Sequence, residues 1–224
     1  MLRFVYLILF IALPLSATAQ LVSGYRFQAI ATDVVITNSL WNIAGGEKQE
    51  IYATKMIRSL DYQYNPGPTI TFFGDRVDVK GQPIPEAIAN VPEGATRLLL
   101  LFTKLENPDE RGLTYRVFAM KDDVNSFAFG SFRFVNTSQR TIAIDLEGEQ
   151  FVLKQGAART LKIEPPELGD LSIRIATPDA HGVWKPNYTN GWSHRSNLRT
   201  LVFITDGIKG RVRPLRYRQT EPIQ

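Results

Sequence analysis

Arg97-Leu98-Leu99-Leu100-Leu101-Phe102-Thr103 sets an unbroken apolar stretch between a charged start and a polar stop. A strand with one face in water alternates apolar and polar residues, so this run describes a strand covered on both sides. Arg199-Thr200-Leu201-Val202-Phe203-Ile204-Thr205 repeats the pattern near the C-terminus. Two such runs about 100 residues apart fit two successive domains, each of ordinary size. The expected fold is all-β: two consecutive immunoglobulin-like β-sandwich domains, residues 20–121 and 122–218, after a signal peptide at 1–19 and before a frayed tail at 219–224.

Short alternating segments surround the two runs. Tyr25, Phe27 and Ala29 alternate with Arg26 and Gln28, which describes a half-buried strand. Residues 33–37, 50–54, 69–73 and 113–120 read as further strands of the first half, the last pairing antiparallel with 97–103 across the polar turn at 107–112. In the second half the segments are 129–136, 141–146, 150–154, 159–163, 171–176, 183–188, 198–205 and 211–216. Gly45-Gly46, Gly148 and Gly156 mark turns, since glycine reaches positive φ without a steric penalty. Asn190-Gly191 is read as the turn of a hairpin joining 183–188 to 198–205. No apolar 3.6-residue period persists, and only 86–90 and 56–60 tolerate a helix.

The N-terminus places Arg3 before the apolar stretch Phe4 to Leu13, and Ala17-Thr18-Ala19 follows. A cation, about ten apolar residues and a small-x-small ending describe a cleavable secretory signal, cut after Ala19. The stretch is too short to span a bilayer, which takes roughly twenty apolar residues. The expected location is periplasmic or secreted. The chain has no cysteine. That excludes disulfides, thiolate metal sites, a cysteine nucleophile and lipidation of an N-terminal cysteine, so the core alone must hold the fold.

Internal similarity suggests duplication. Tyr25-Arg26-Phe27 and Phe132-Arg133-Phe134 open the two halves, and the buried runs follow at similar spacing. The segment Phe134-Val135-Asn136-Thr137-Ser138, with Ile142 to Gly148 and Gly156, resembles uncharacterised bacterial secreted β-sandwich proteins over about thirty residues. The resemblance implies an extracytoplasmic β-sandwich and brings no catalytic residues with it.

The formal net charge of +4 is uneven. From Arg195 to Arg218 the cations are Arg195, Arg199, Lys209, Arg211, Arg213, Arg216 and Arg218, against the single anion Asp206. Such an excess attracts a polyanion, or it protects a strand edge from pairing with another chain. Residues 178–195 hold both histidines and two tryptophans. Trp184, Tyr188 and Trp192 would form an aromatic platform for a sugar if exposed, with Arg195 beside it. The same rings would equally cap a core. Asp179, His181 and His194 would hold a metal if the hairpin folded 181 against 194. Ser193, His194 and Asp179 are a poor acyl-transfer triad, because neighbouring strand residues point to opposite faces. The close carboxylates, Asp122-Asp123 and Glu147/Glu149, read as turn and surface residues. No phosphate-binding glycine loop occurs.

These readings describe an exported, non-catalytic β-sandwich protein acting as an interaction or structural module of the cell envelope, with no cofactor. The alternative is a carbohydrate or polyanion binder using the aromatic hairpin 181–195 (Trp184, Tyr188, Trp192, Arg195) and the basic strand 211–218 (Arg211, Arg213, Arg216, Arg218). A hydrolase using His181 or His194 is the third reading. The expected partner is a protein or an anionic glycan of the envelope rather than nucleic acid.

Overall fold

The computed structural model describes residues 24–221 apart from positions 33 and 56, and the side chain at 38 is not described. Residues 1–23, which include the segment 1–19 read from sequence as a signal peptide, and residues 222–224 lie outside the described residues. The first half contains β1 (Arg26–Ala31), β2 (Ile36–Ala44), β3 (Glu47–Ala53), β4 (Tyr62–Gln63), β5 (Thr69–Val77), β6 (Pro83–Asn90), β7 (Arg97–Lys104) and β8 (Tyr115–Lys121). The second contains β9 (Ser131–Asn136), β10 (Ile142–Leu146), β11 (Glu149–Leu153), β12 (Ala158–Lys162), β13 (Leu171–Pro178), β14 (Trp184–Trp192), β15 (Leu198–Asp206) and β16 (Val212–Thr220). No described helix is long and apolar enough to cross a membrane.

Each half has two four-stranded sheets, and the strand orders correspond. The first half has β4-β1-β7-β8 and β3-β2-β5-β6; the second has β12-β9-β15-β16 and β11-β10-β13-β14. In both, the opening strand runs parallel to the buried run: Phe27 opposite Leu98 and Ala31 opposite Phe102, then Phe132 opposite Thr200 and Asn136 opposite Ile204. This shared parallel pair stands out because every other ladder among the described strands is antiparallel. It extends the likeness between the halves from sequence to topology.

The sheets bury side chains in three layers. Phe27, Leu98, Leu100 and Phe102 meet Ile51, Ile70 and Phe72 between the sheets of the first half. Phe132, Phe134, Val202 and Ile204 meet Ile144, Ile173 and Trp192 in the second. A third cluster joins the halves, with Ile30, Leu99, Leu101 and Met120 on one side, Val135, Leu201, Phe203 and Tyr217 on the other, and Phe127 of the linker between them. The two runs are therefore covered on both faces, as their composition requires. The cores are not separate, however: alternate residues of each run face the other half. The sheets containing β7 and β15 are the inner sheets of a four-layer stack, and the other two are the outer sheets.

Local sequence chemistry explains several departures from the expected strands. Residues 86–90 form part of β6 rather than a helix, with Ala87 and Ala89 wholly buried on one face. Pro83 and Pro85 are accommodated because β6 is an edge strand, where a missing N–H breaks no ladder bond. Asn190 and Gly191 lie inside β14, opposite Ile173 and Ser172, and form no turn. A Cβ on Gly191 would approach Asp170 Cβ to 3.1 Å, so the glycine serves a close approach. Consequently β14 pairs with β13, and β15 pairs with β9 and β16. Gln219 and Thr220 belong to β16 and are not frayed.

The linker is clamped rather than loose. Asp122 is 3% exposed and accepts hydrogen bonds from Arg58, while Arg199 Nη2 lies 3.4 Å from its carboxylate. Arg199 donates to Phe127 O at 3.0 Å, and Arg133 donates to the carbonyls of Lys121 and Ser126. The guanidinium groups of Arg133 and Arg199 lie 4.5 and 5.1 Å from the Phe127 ring centre. Asp122 is thus a buried ion-pair member and not the surface turn residue its neighbours suggest.

Candidate functional site

The β13–β14 connection is an Asx turn. Asp179 Oδ1 accepts from the backbone N–H groups of His181 and Val183, both at 2.9 Å, and Gly182 takes φ of +78°. His181 is exposed at this turn. His194 lies beyond the other end of β14, whose nine residues extend about 30 Å at the usual strand rise. The two histidines therefore occupy opposite ends of the second half. Among the described residues no group of three or more His, Cys, Asp or Glu is arranged to hold a metal. Ser193 and His194 do not meet as nucleophile and base: Ser193 Oγ accepts from Arg218 at 3.2 Å, whereas His194 Nε2 lies 2.9 Å from Ile163 O.

The aromatic residues divide by burial. Trp192 is fully buried, stacked 6.1 Å from both Phe132 and Phe134. Its indole N–H donates to Tyr188 Oη at 3.1 Å, and Asn190 donates to the same hydroxyl at 3.0 Å. Trp184 is 43% exposed at the far end of β14. The three rings do not form one open platform; Trp192 acts as a core residue with its polar edge satisfied at the rim.

The basic strand does approach the aromatic one. Val212 N–H donates to Asn187 Oδ1 at 2.7 Å, Arg216 lies 4.8 Å from the Trp192 ring centre, and Arg218 reaches Ser193. Arg216 and Arg218 pair with Val202 and Thr200, so they share the face of the inner sheet turned toward β14. Arg213 pairs with Thr205 on the opposite face, and Arg211 precedes the strand. Arg199 leaves the set, being committed to Asp122 and to Gln219. Asp206 is engaged by Arg140 at 3.5 Å. Among the described residues, Arg195, Lys209, Arg211, Arg213, Arg216 and Arg218 have no carboxylate within ion-pair distance.

At the end of this edge is a cavity of about 320 Å³ lined by Ser193, His194, Arg195, Asn197, Leu198, Arg218 and Thr220. It brings together two of the arginines singled out from sequence, Arg195 and Arg218, with one of the histidines. No carboxylate lines it. Sequence reasoning missed Asn197 and Thr220, which have no motif; only their places after β14 and at the end of β16 bring them here.

The remaining sequence candidates are structural. Asp123 accepts from the backbone and hydroxyl of Ser126, and the hydroxyl hydrogen bond chiefly holds its carboxyl below the usual range. Glu147 and Gly148 form a two-residue turn at positive φ, and Glu147 accepts from Ser172 N–H at 2.6 Å. Asn136 is fully buried, donating to Arg140 O and Leu153 O and accepting from Ser138. The Asn187 side chain is similarly engaged, donating to Thr177 Oγ1 at 3.0 Å and accepting from Val212 N–H at 2.7 Å.

No protein-family profile matches the chain, and no curated protein matches it. Among solved structures, it is similar to the sugar-binding protein pneumolysin and to a non-hemolytic pneumolysin from Streptococcus pneumoniae strain ST306. Each has 10% identity and a TM-score of 0.27, over 50% and 49% of this chain and 28% of the pneumolysin chains. The chain spans little more than a quarter of their length, and a superposition at that level carries no inference about fold or ligand.

Proposed function

We propose that this is an exported, non-catalytic module of two immunoglobulin-like sandwich domains, and that its second domain engages an anionic polymer of the cell envelope. The export reading rests on Arg3, the apolar stretch 4–13 and Ala17-Thr18-Ala19. The observation that carries the ligand reading is the group of six unpaired cations along and beside β16. Like charges held on a folded surface without internal counterions attract a polyanion over roughly a Debye length, about 10 Å at 0.1 M salt. The non-catalytic reading is supported by Ser193, His194 and Asp179 each being bonded elsewhere.

Retention on immobilised heparin, compared with a sulfonate exchanger of equal charge density, tests the reading. The expected result is later elution from heparin, steep dependence on salt, and loss of that difference in the Arg211→Glu/Arg213→Glu variant. Equal elution from both matrices, or no effect of the charge reversals, overturns it.

A further inference from the structure

Two connections of the second half lie side by side at one end of it: the β13–β14 turn, 179–183, and the β15–β16 connection, 207–211. Asn187 ties their roots together. Its Oδ1 accepts from Val212 N–H at 2.7 Å, and its Nδ2 donates to Gly210 O at 3.4 Å. Arg140, from the β9–β10 turn, donates to the same Gly210 carbonyl at 2.5 Å. This end presents large apolar side chains to water. Ile208 is 83% exposed, Val183 51% and Trp184 43%. The short turn Ile208–Gly210 buries none of its residues, so Ile208 adds nothing to the core.

The same connections and their flanks carry Lys185, Lys209, Arg211 and Arg213, all exposed. Two carboxylates stand among them, and both are engaged. Asp179 accepts from the turn's own N–H groups with Lys185 Nζ 3.9 Å away, and Asp206 has Arg140 at 3.5 Å. Exposed apolar residues scattered singly are ordinary, whereas several at one place mark an interaction surface. The three apolar side chains more exposed than Ile208 keep different company. Leu168 follows Glu167 and precedes Asp170, Val79 sits between Asp78 and Lys80, and Leu60 precedes Asp61. None of these has the excess of cations found around Ile208.

An anionic bilayer surface matches this pairing of chemistries. Indole rings and aliphatic side chains settle at the headgroup level, and neighbouring lysines and arginines are drawn to the negative surface. A polyanion in solution would engage the cations and leave Ile208 and Val183 in water. We propose that this end of the second half docks on an anionic lipid bilayer, with Val183, Trp184 and Ile208 entering the headgroup layer and Lys185, Lys209, Arg211 and Arg213 facing the lipid phosphates. The docking goes beyond the polyanion reading: it shares Arg211 and Arg213 with it, while the apolar side chains belong to the membrane contact alone.

The test is co-sedimentation of residues 20–224 with vesicles of phosphatidylglycerol and phosphatidylcholine in equal parts, and with vesicles of phosphatidylcholine alone, while tryptophan emission is followed. Binding to the anionic vesicles should be at least about tenfold tighter, since each cation near such a surface is worth about fivefold. Emission should shift to the blue, and Trp184→Phe should remove that shift, because Trp192 is already buried and Trp41 lies in the first half. Val183→Ser/Ile208→Ser alters only exposed positions and should weaken vesicle binding at least about tenfold. The same variant should leave elution from heparin unchanged. Equal binding to both kinds of vesicle, absence of the emission shift, its survival in Trp184→Phe, or unchanged binding of Val183→Ser/Ile208→Ser overturns the proposal. Preferential heparin retention without vesicle binding removes this inference and leaves the polyanion reading standing. Vesicle binding that depends on Ile208, without preferential retention on heparin, does the reverse.

Discussion

Arg199 Nη2 lies 3.4 Å from Asp122 Oδ1, tying the central strand of the second inner sheet to the residue that follows the last strand of the first half. Asp122 is fixed from its own side too, its N–H donating to Arg97 O at 3.0 Å. Burial pushes the Arg199 guanidinium down from its usual range, and the Asp122 carboxylate opposes that shift. Removing the carboxylate leaves Arg58 and Arg199 partly buried, close together and unneutralised. Asp122→Asn should therefore cost about 3–5 kcal/mol of stability. Urea denaturation measures it, and a loss below about 1 kcal/mol would show that the cluster is not what holds the linker.

Leu100 and Leu101 are adjacent, yet they belong to different clusters, one within the first half and one between the halves. This makes the coupling of the halves testable without destroying either sandwich. Leu101→Asp places a charge in the shared cluster, and Leu100→Asp places one in the first core. The parent chain should unfold in one calorimetric transition, since an apolar interface of this kind links the two melts. Leu101→Asp should split it into two. Leu100→Asp should instead abolish the first-half transition. A single unshifted transition in Leu101→Asp would mean that the third cluster contributes little.

The sequence made the strand content legible because alternation and apolar runs report burial directly. It showed that β7 and β15 are covered on both faces, but not by what: a leucine facing its own partner sheet and one facing another half look the same in a list of residues. The parallel pairing of β1 with β7 was invisible for a similar reason, since no local turn encodes it. Asn190-Gly191 misled because the pair is favourable both in a tight turn and, through the missing Cβ, where Asp170 crowds a strand. At the candidate site, the excess of arginine was visible, whereas its partition was not. Arg199 is withdrawn by Asp122, more than seventy positions away, and Trp192 is withdrawn by the core.

Asn136 binds the β9–β10 turn to the end of β11, donating to Arg140 O at 2.6 Å and Leu153 O at 3.0 Å while accepting from the Ser138 hydroxyl at 2.7 Å. Asn136→Ala orphans several of these buried groups at once, each worth about 1–3 kcal/mol when left unsatisfied. Partial replacement by water should bring the net loss to about 3 kcal/mol, read from thermal or urea unfolding. A neutral substitution would show that water replaces the amide fully.

Tyr64 is almost wholly buried, and its hydroxyl donates to Ala95 O at 2.8 Å. Burial, with a smaller contribution from nearby Tyr25, pushes its phenol up from 10.0 to about 12. The folded chain thus favours the neutral phenol more than the unfolded chain does. A pKa raised on folding gives stability that is complete below the unfolded value and lost as pH climbs to the folded one. The stability of the parent chain should fall between about pH 10 and 12, beyond what the other tyrosines cause. Tyr64→Phe should lose about 1 kcal/mol near neutrality, because Ala95 O gives up its donor, and should decline less over the alkaline interval. Unfolding free energies across that interval, with tyrosinate absorbance followed in parallel, measure both effects. If Tyr64 ionises together with solvent-exposed tyrosines near pH 10, its burial is too loose to shift it, and the two stability curves should run parallel.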